Sequence, residues 1–85
     1  MALTADDAKR LEWWLMRIDA HVPLKEGEIQ ATGVLVLGKD YGSSEQLWIK
    51  STLVPFLNKR IGYAASYNVD RVIVTRVAFV LRPLV

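Results

Sequence analysis

With 85 residues the chain makes one domain, small enough to bury only about 60 to 65% of the surface its unfolded form would expose. Hydrophobic residues nevertheless make up 52% of it, an excess that points to apolar surface shared with another chain. Eleven Lys and Arg against 9 Asp and Glu leave a net charge of +2, too slight to argue for nucleic acid by itself, and the lack of cysteine excludes a disulfide framework, a thiolate zinc site and a thiol nucleophile.

That composition fits a reducing compartment, and the expected location is cytoplasmic. The opening stretch MALTADDAKR has no basic region followed by an apolar one, so it does not read as a signal peptide. Arg76 and Arg82 interrupt the only long apolar run, and no membrane span is expected.

Thr4 with Asp7 three residues later has the form of a capping box, and Asp6 and Asp7 suit the positive end of a helix dipole. Ala8, Leu11, Trp14, Leu15, Ile18 and Val22 follow at helical spacing as one apolar face, and Pro23 stops the helix near His21. The pattern then changes to period two. Ile29, Ala31, Gly33, Leu35 and Leu37 alternate with Glu28, Gln30, Thr32, Val34 and Val36, which predicts a strand over 28–37. GKDYGSS is turn chemistry.

The segment from Glu45 to Val54 reads two ways, because Ser43 with Gln46 has the form of a helix cap. Alternation of Leu47, Ile49 and Leu53 with Trp48, Lys50 and Thr52 favours a strand over 45–53. Pro55 would damage a helix running through it but suits the first turn of one, predicting a helix over 55–67 closed by Asn68. The terminal DRVIVTRVAFVLRPLV alternates again and reads as the last strand. The expected fold is a small single α+β domain in the order α-β-β-α-β, a three-stranded antiparallel sheet with two helices; α-β-α-β is the alternative.

One face of the expected sheet carries Ile29, Leu35, Leu37, Leu47, Ile49, Leu53, Ile73, Val77, Phe79 and Leu81. The other carries Val34, Val36, Trp48, Val72, Val74, Ala78 and Val80, a second apolar layer. Either the helices cover opposite faces, or another molecule covers one of them, and the second set is accordingly the expected oligomer interface.

Chemical motifs are weak. GVLVLGKD approaches a phosphate-binding loop, but Gly33 falls inside a strand and Asp40 stands where a hydroxyl would hold magnesium. His21 is the sole histidine and suits a helix C-terminus, and no serine lies in a nucleophile turn. Neither an enzyme, a metal, a cofactor nor a small-molecule substrate is expected.

The more informative group is Lys9, Arg10, Trp13, Met16 and Arg17, opposite the core face of the first helix, where an indole stands among cations. This is the expected partner-binding surface. The function expected is a small non-catalytic protein-interaction module, an inhibitor, adaptor or assembly subunit, that forms a homo-oligomer, a dimer by preference, and binds a protein. The alternative is a nucleic-acid-binding protein that uses the same helix face.

Overall fold

The first helix, α1 (Ala5–His21), starts where its capping box sets it: the Asp7 backbone N–H donates to Thr4 Oγ1 and the Thr4 N–H donates to Asp7 Oδ2, both at 3.1 Å. It closes as Val22 N–H returns to the Ile18 carbonyl at 2.7 Å. Leu11, Trp14 and Ile18 are buried along its inner side, as their spacing requires. The structure is a computed structural model, and it describes residues 3–38 and 41–78.

Strand β1 (Gln30–Val36) follows, and then the chain departs from expectation. The expected strand over 45–53 is helical: α2 (Ser43–Trp48) runs into a π-helical stretch (Ile49–Leu53) and on into α3 (Val54–Lys59) as one rod. Pro55 is the reason the rod is not a plain α-helix. A proline supplies no N–H and its ring crowds the carbonyl four residues back. The wider π turn absorbs this, with Val54 N–H donating to the Ile49 carbonyl five residues earlier. Ile49, Leu53 and Leu57 all lie fully buried along the rod, whereas Leu47, the first apolar member of the alternation that favours a strand, is exposed.

The expected helix over 55–67 likewise ends at Lys59, where Arg60 turns to extended backbone. Strands β2 (Tyr63–Asn68) and β3 (Arg71–Val77) form the closing hairpin, so Asn68 ends a strand and does not close a helix. Val69 takes a positive φ of 54° in the two-residue turn, a position where a β-branched side chain is strained.

The class is as expected, a small α+β domain with a three-stranded antiparallel sheet and two helical segments. The strand order is β1-β3-β2, with the terminal strand in the centre. Leu35 pairs with Val72 and Gly33 with Val74, while Ala65 pairs with Val74 and Tyr67 with Val72 on the other side. This register decides the faces. Val72 and Val74 are fully buried beside Leu35, so they belong to the core and not to an outer interface. Ile73 and Val77, expected inside, point with Val34 and Val36 to the opposite face, and Ile29 is exposed. Phe79, Val80 and Leu81 lie outside the described residues.

Both helical segments pack on the face of Leu35, Val72 and Val74, in one core with Leu11, Trp14, Ile18, Val22, Ile49, Leu53 and Leu57. Among the described residues nothing covers the other face. Gly33 shows how close the layers come: a Cβ there would lie 2.5 Å from Val22 Cγ2 and 3.4 Å from the His21 carbonyl oxygen. The glycine serves helix-on-sheet contact, not a phosphate cradle.

Candidate interaction surfaces

Two surfaces emerge, one on α1 and one on the sheet. On α1, Lys9, Trp13 and Met16 are exposed, Trp13 by 52% and Met16 by 68%. Trp14, one residue on, is 1% exposed and packs edge-on to Trp13 with ring centres 5.1 Å apart. A shift of about 100° around the helix separates an exposed indole from a core one.

The cations of this group are less free than their spacing suggests. The Arg10 guanidinium pairs with the Glu45 carboxylate from α2 and lies 4.3 Å from the centre of the Trp48 ring. Glu45 also accepts from Trp14 Nε1 at 3.3 Å, so one carboxylate ties α1 to α2 twice. Trp48 Nε1 donates to Asp7 Oδ1 at 2.9 Å, which places Trp48 in the α1–α2 contact rather than on a sheet face. The Trp48 indole, followed by the Thr4 backbone and hydroxyl, holds the Asp7 carboxyl below the ordinary aspartate range by stabilising its charged form.

Arg17 stands among three rings, its guanidinium carbon 5.4 Å from the centre of Trp13, 5.2 Å from Trp14 and 5.2 Å from Tyr41. Its buried Nη1 has no hydrogen-bond partner among the described residues. Local cation–π packing therefore accounts for Arg10 and Arg17, and the part of the group that faces solvent is Lys9, Trp13 and Met16. At the far end of α1, Arg76 Nη1 reaches both the Val22 carbonyl at 3.0 Å and Asp19 at 3.1 Å, pinning the helix end to β3. His21 is exposed there.

The second surface is the open face of the sheet. Thr32, Val34 and Val36 of β1, Ile73, Thr75 and Val77 of β3, and Ala64 and Ser66 of β2 share it by register. Val34 is 48% and Val36 60% exposed. These eight positions carry no charge; Arg71 and Asn68 lie at one end. Of the interface expected from the sequence, Val34 and Val36 are here, Val72 and Val74 are in the core, and Trp48 is between helices. Ala78 lines a shallow depression with Leu24 and Ile29 beyond the end of β3. Ile73 and Val77 replace the missing members, a substitution legible only once β3 is paired.

Tyr63 and Tyr67 share the inner face of β2. Tyr67 Oη donates to the Val69 carbonyl at 2.8 Å and lies 3.2 Å from Gln46 Oε1, so it serves the hairpin and its contact with α2. Among the described residues no three His, Cys, Asp or Glu side chains gather as metal ligands would, and no helix is long and apolar enough to cross a membrane. The chain has no match among protein-family models, curated proteins or solved structures.

Proposed function

We propose that the chain is a non-catalytic protein-interaction module that self-associates and binds a protein partner, as an inhibitor, adaptor or assembly subunit of the cytoplasm. The observation that carries this reading is the one-sided sheet: both helical segments occupy one face, and Val34, Val36, Ile73 and Val77 are left on the other. A largely apolar face of this kind, charged only at its Arg71 end among the described residues, is a liability in a monomer and useful to a module that works in contact with other chains. The protein partner has Trp13 and Met16 as a further apolar contact, with Lys9 beside them to favour an acidic rim.

Sedimentation equilibrium across micromolar to millimolar concentration tests the first half. The expected result is a mass above the 9.6 kDa of one chain, and a monomer throughout would overturn it. For the second half, Trp13→Ala combined with Met16→Ser should weaken capture of the protein partner at least tenfold with an unchanged circular dichroism spectrum. Undiminished capture would remove α1 from the surface. Binding that falls steeply as salt rises and vanishes with nuclease would instead mark a nucleic-acid ligand.

A further inference from the structure

The two edges of the sheet are treated differently. With β3 in the centre, β1 and β2 are the edge strands. On β2 the outward-facing backbone is plugged at its middle, Ala65: Asn58 Nδ2 donates to the Ala65 carbonyl at 2.9 Å, and the Ala65 N–H donates to Asn58 Oδ1 at 2.7 Å. One side-chain amide thus imitates a neighbouring strand. The Tyr63 N–H turns back to the Arg60 carbonyl at 3.3 Å, and α3 lies along this side.

Among the described residues, edge β1 has no such plug. Ala78 N–H bonds to the Ile29 carbonyl and Leu37 N–H to the Asp70 carbonyl, which fixes the alternation: Ala31, Gly33 and Leu35 bond inward to β3, and Gln30, Thr32, Val34 and Val36 turn their N–H and C=O groups off the sheet. None of these four residues has a hydrogen-bond partner on that side among the described residues. The strand, QATGVLV, contains no charge and no proline, the devices that ordinarily protect an edge.

We propose that β1 pairs antiparallel with β1 of a second copy, joining two three-stranded sheets into one six-stranded sheet across a two-fold axis. This rests on the self-association proposed above and specifies its geometry. The occupant is a second copy because an uncharged edge meeting its own antiparallel image presents the same free groups in complementary order, with no like charges opposed. The plugged β2 edge stops growth at two, where two open edges would give a filament.

The register follows from the helix side. The end of α1 lies over Gly33, so an axis through Gly33 would bring two helix ends together. Moving the axis to Val34 separates them. It faces Val34 with Val34 of the other copy and Thr32 with Val36, joining the two open faces into one apolar platform for the protein partner.

The chain has no cysteine, so a single introduced thiol reports this geometry without interference. Directly opposed residues of an antiparallel hydrogen-bonded pair have Cα atoms about 5.5 Å apart, within disulfide range. Val34→Cys is expected to convert to a disulfide-linked dimer under oxidised glutathione at least tenfold faster than Ser66→Cys, which puts its thiol on the same face beside the plugged edge. Thr32→Pro removes an outward N–H without touching the bonds to β3 and is expected to sediment as a folded monomer. If the proline variant does not fold, the comparison of the two cysteine variants, which leave the backbone intact, carries the test alone.

In the parent, amide exchange at Thr32, Val34 and Val36 should slow with rising protein concentration. A dimer that persists in Thr32→Pro but dissociates in Ile73→Lys would mean that the copies stack through their open faces, leaving self-association standing and the edge pairing overturned. Equal cross-linking of the two cysteine variants would also overturn it, and a monomeric parent would remove both.

Discussion

Asp7 does three things with one carboxylate: it completes the cap of α1, accepts from Trp48, and feels the charge of Arg10. The folded state holds it below the ordinary value of 3.8. A depressed carboxyl binds fewer protons folded than unfolded, so its contribution to stability is complete above that value and is lost as pH falls toward the lowered one. Thermal melts between pH 5 and pH 2 should therefore drop less steeply for Asp7→Asn than for the parent; parallel curves would show that the Trp48 and Thr4 contacts do not favour the charged form. Gly33 gives a second case at this scale. Its missing Cβ leaves room for Val22, and Gly33→Ala should cost about 1 to 3 kcal/mol by overpacking, measured by urea unfolding. A neutral result would mean that the end of α1 yields freely, despite its ties from Arg76.

Among elements, α1 was legible in full, because its cap, period and proline stop all act locally. Its two tryptophans permit a separation of roles. Trp14→Ala should cost about 3 to 5 kcal/mol, since the ring is fully buried and its Nε1 reaches Glu45, whereas Trp13→Ala should cost far less. Similar losses in denaturant would contradict the assignment of faces. The rod from Ser43 to Lys59 is hidden in the sequence because two local signals, a period-two run and Pro55, both argue against a helix. The Ser43–Gln46 signal pointed the right way, although Gly42 occupies the cap position and Gln46 instead sends its side-chain amide to the Tyr41 carbonyl. A π turn is a tertiary solution: burying Ile49, Leu53 and Leu57 on one side outweighs the irregular hydrogen bonding that Pro55 imposes. Strand β2, YAASYN, carries little apolar alternation of its own and owes its place to pairing with β3 and to the Asn58 bracket.

For the molecule as a whole, the decisive fact is which face of the central strand is inward. Val74→Asp would put a carboxylate into the core and should abolish cooperative folding, while Ile73→Asp, one residue away on the open face, should leave a folded chain with altered association. Circular dichroism with sedimentation on the pair checks this; two folded variants would reverse the sheet.

The sequence by itself determined a single α+β domain, the cap and core face of α1, the strand at β1 and a surplus of apolar surface, because each follows from composition or from periodicity within one element. It determined too that β3 has two apolar faces, without saying which is inside. Only the tertiary structure decided that. Pairing β3 between β1 and β2 aligns Val72 and Val74 with Leu35 beneath both helical segments, and one residue's change of phase in a strand moves every side chain to the other side. The α1 group followed the same rule: spacing placed Arg10 and Arg17 on a common face, but Glu45, Trp48 and Tyr41, distant in sequence, turned both cations to holding the fold together.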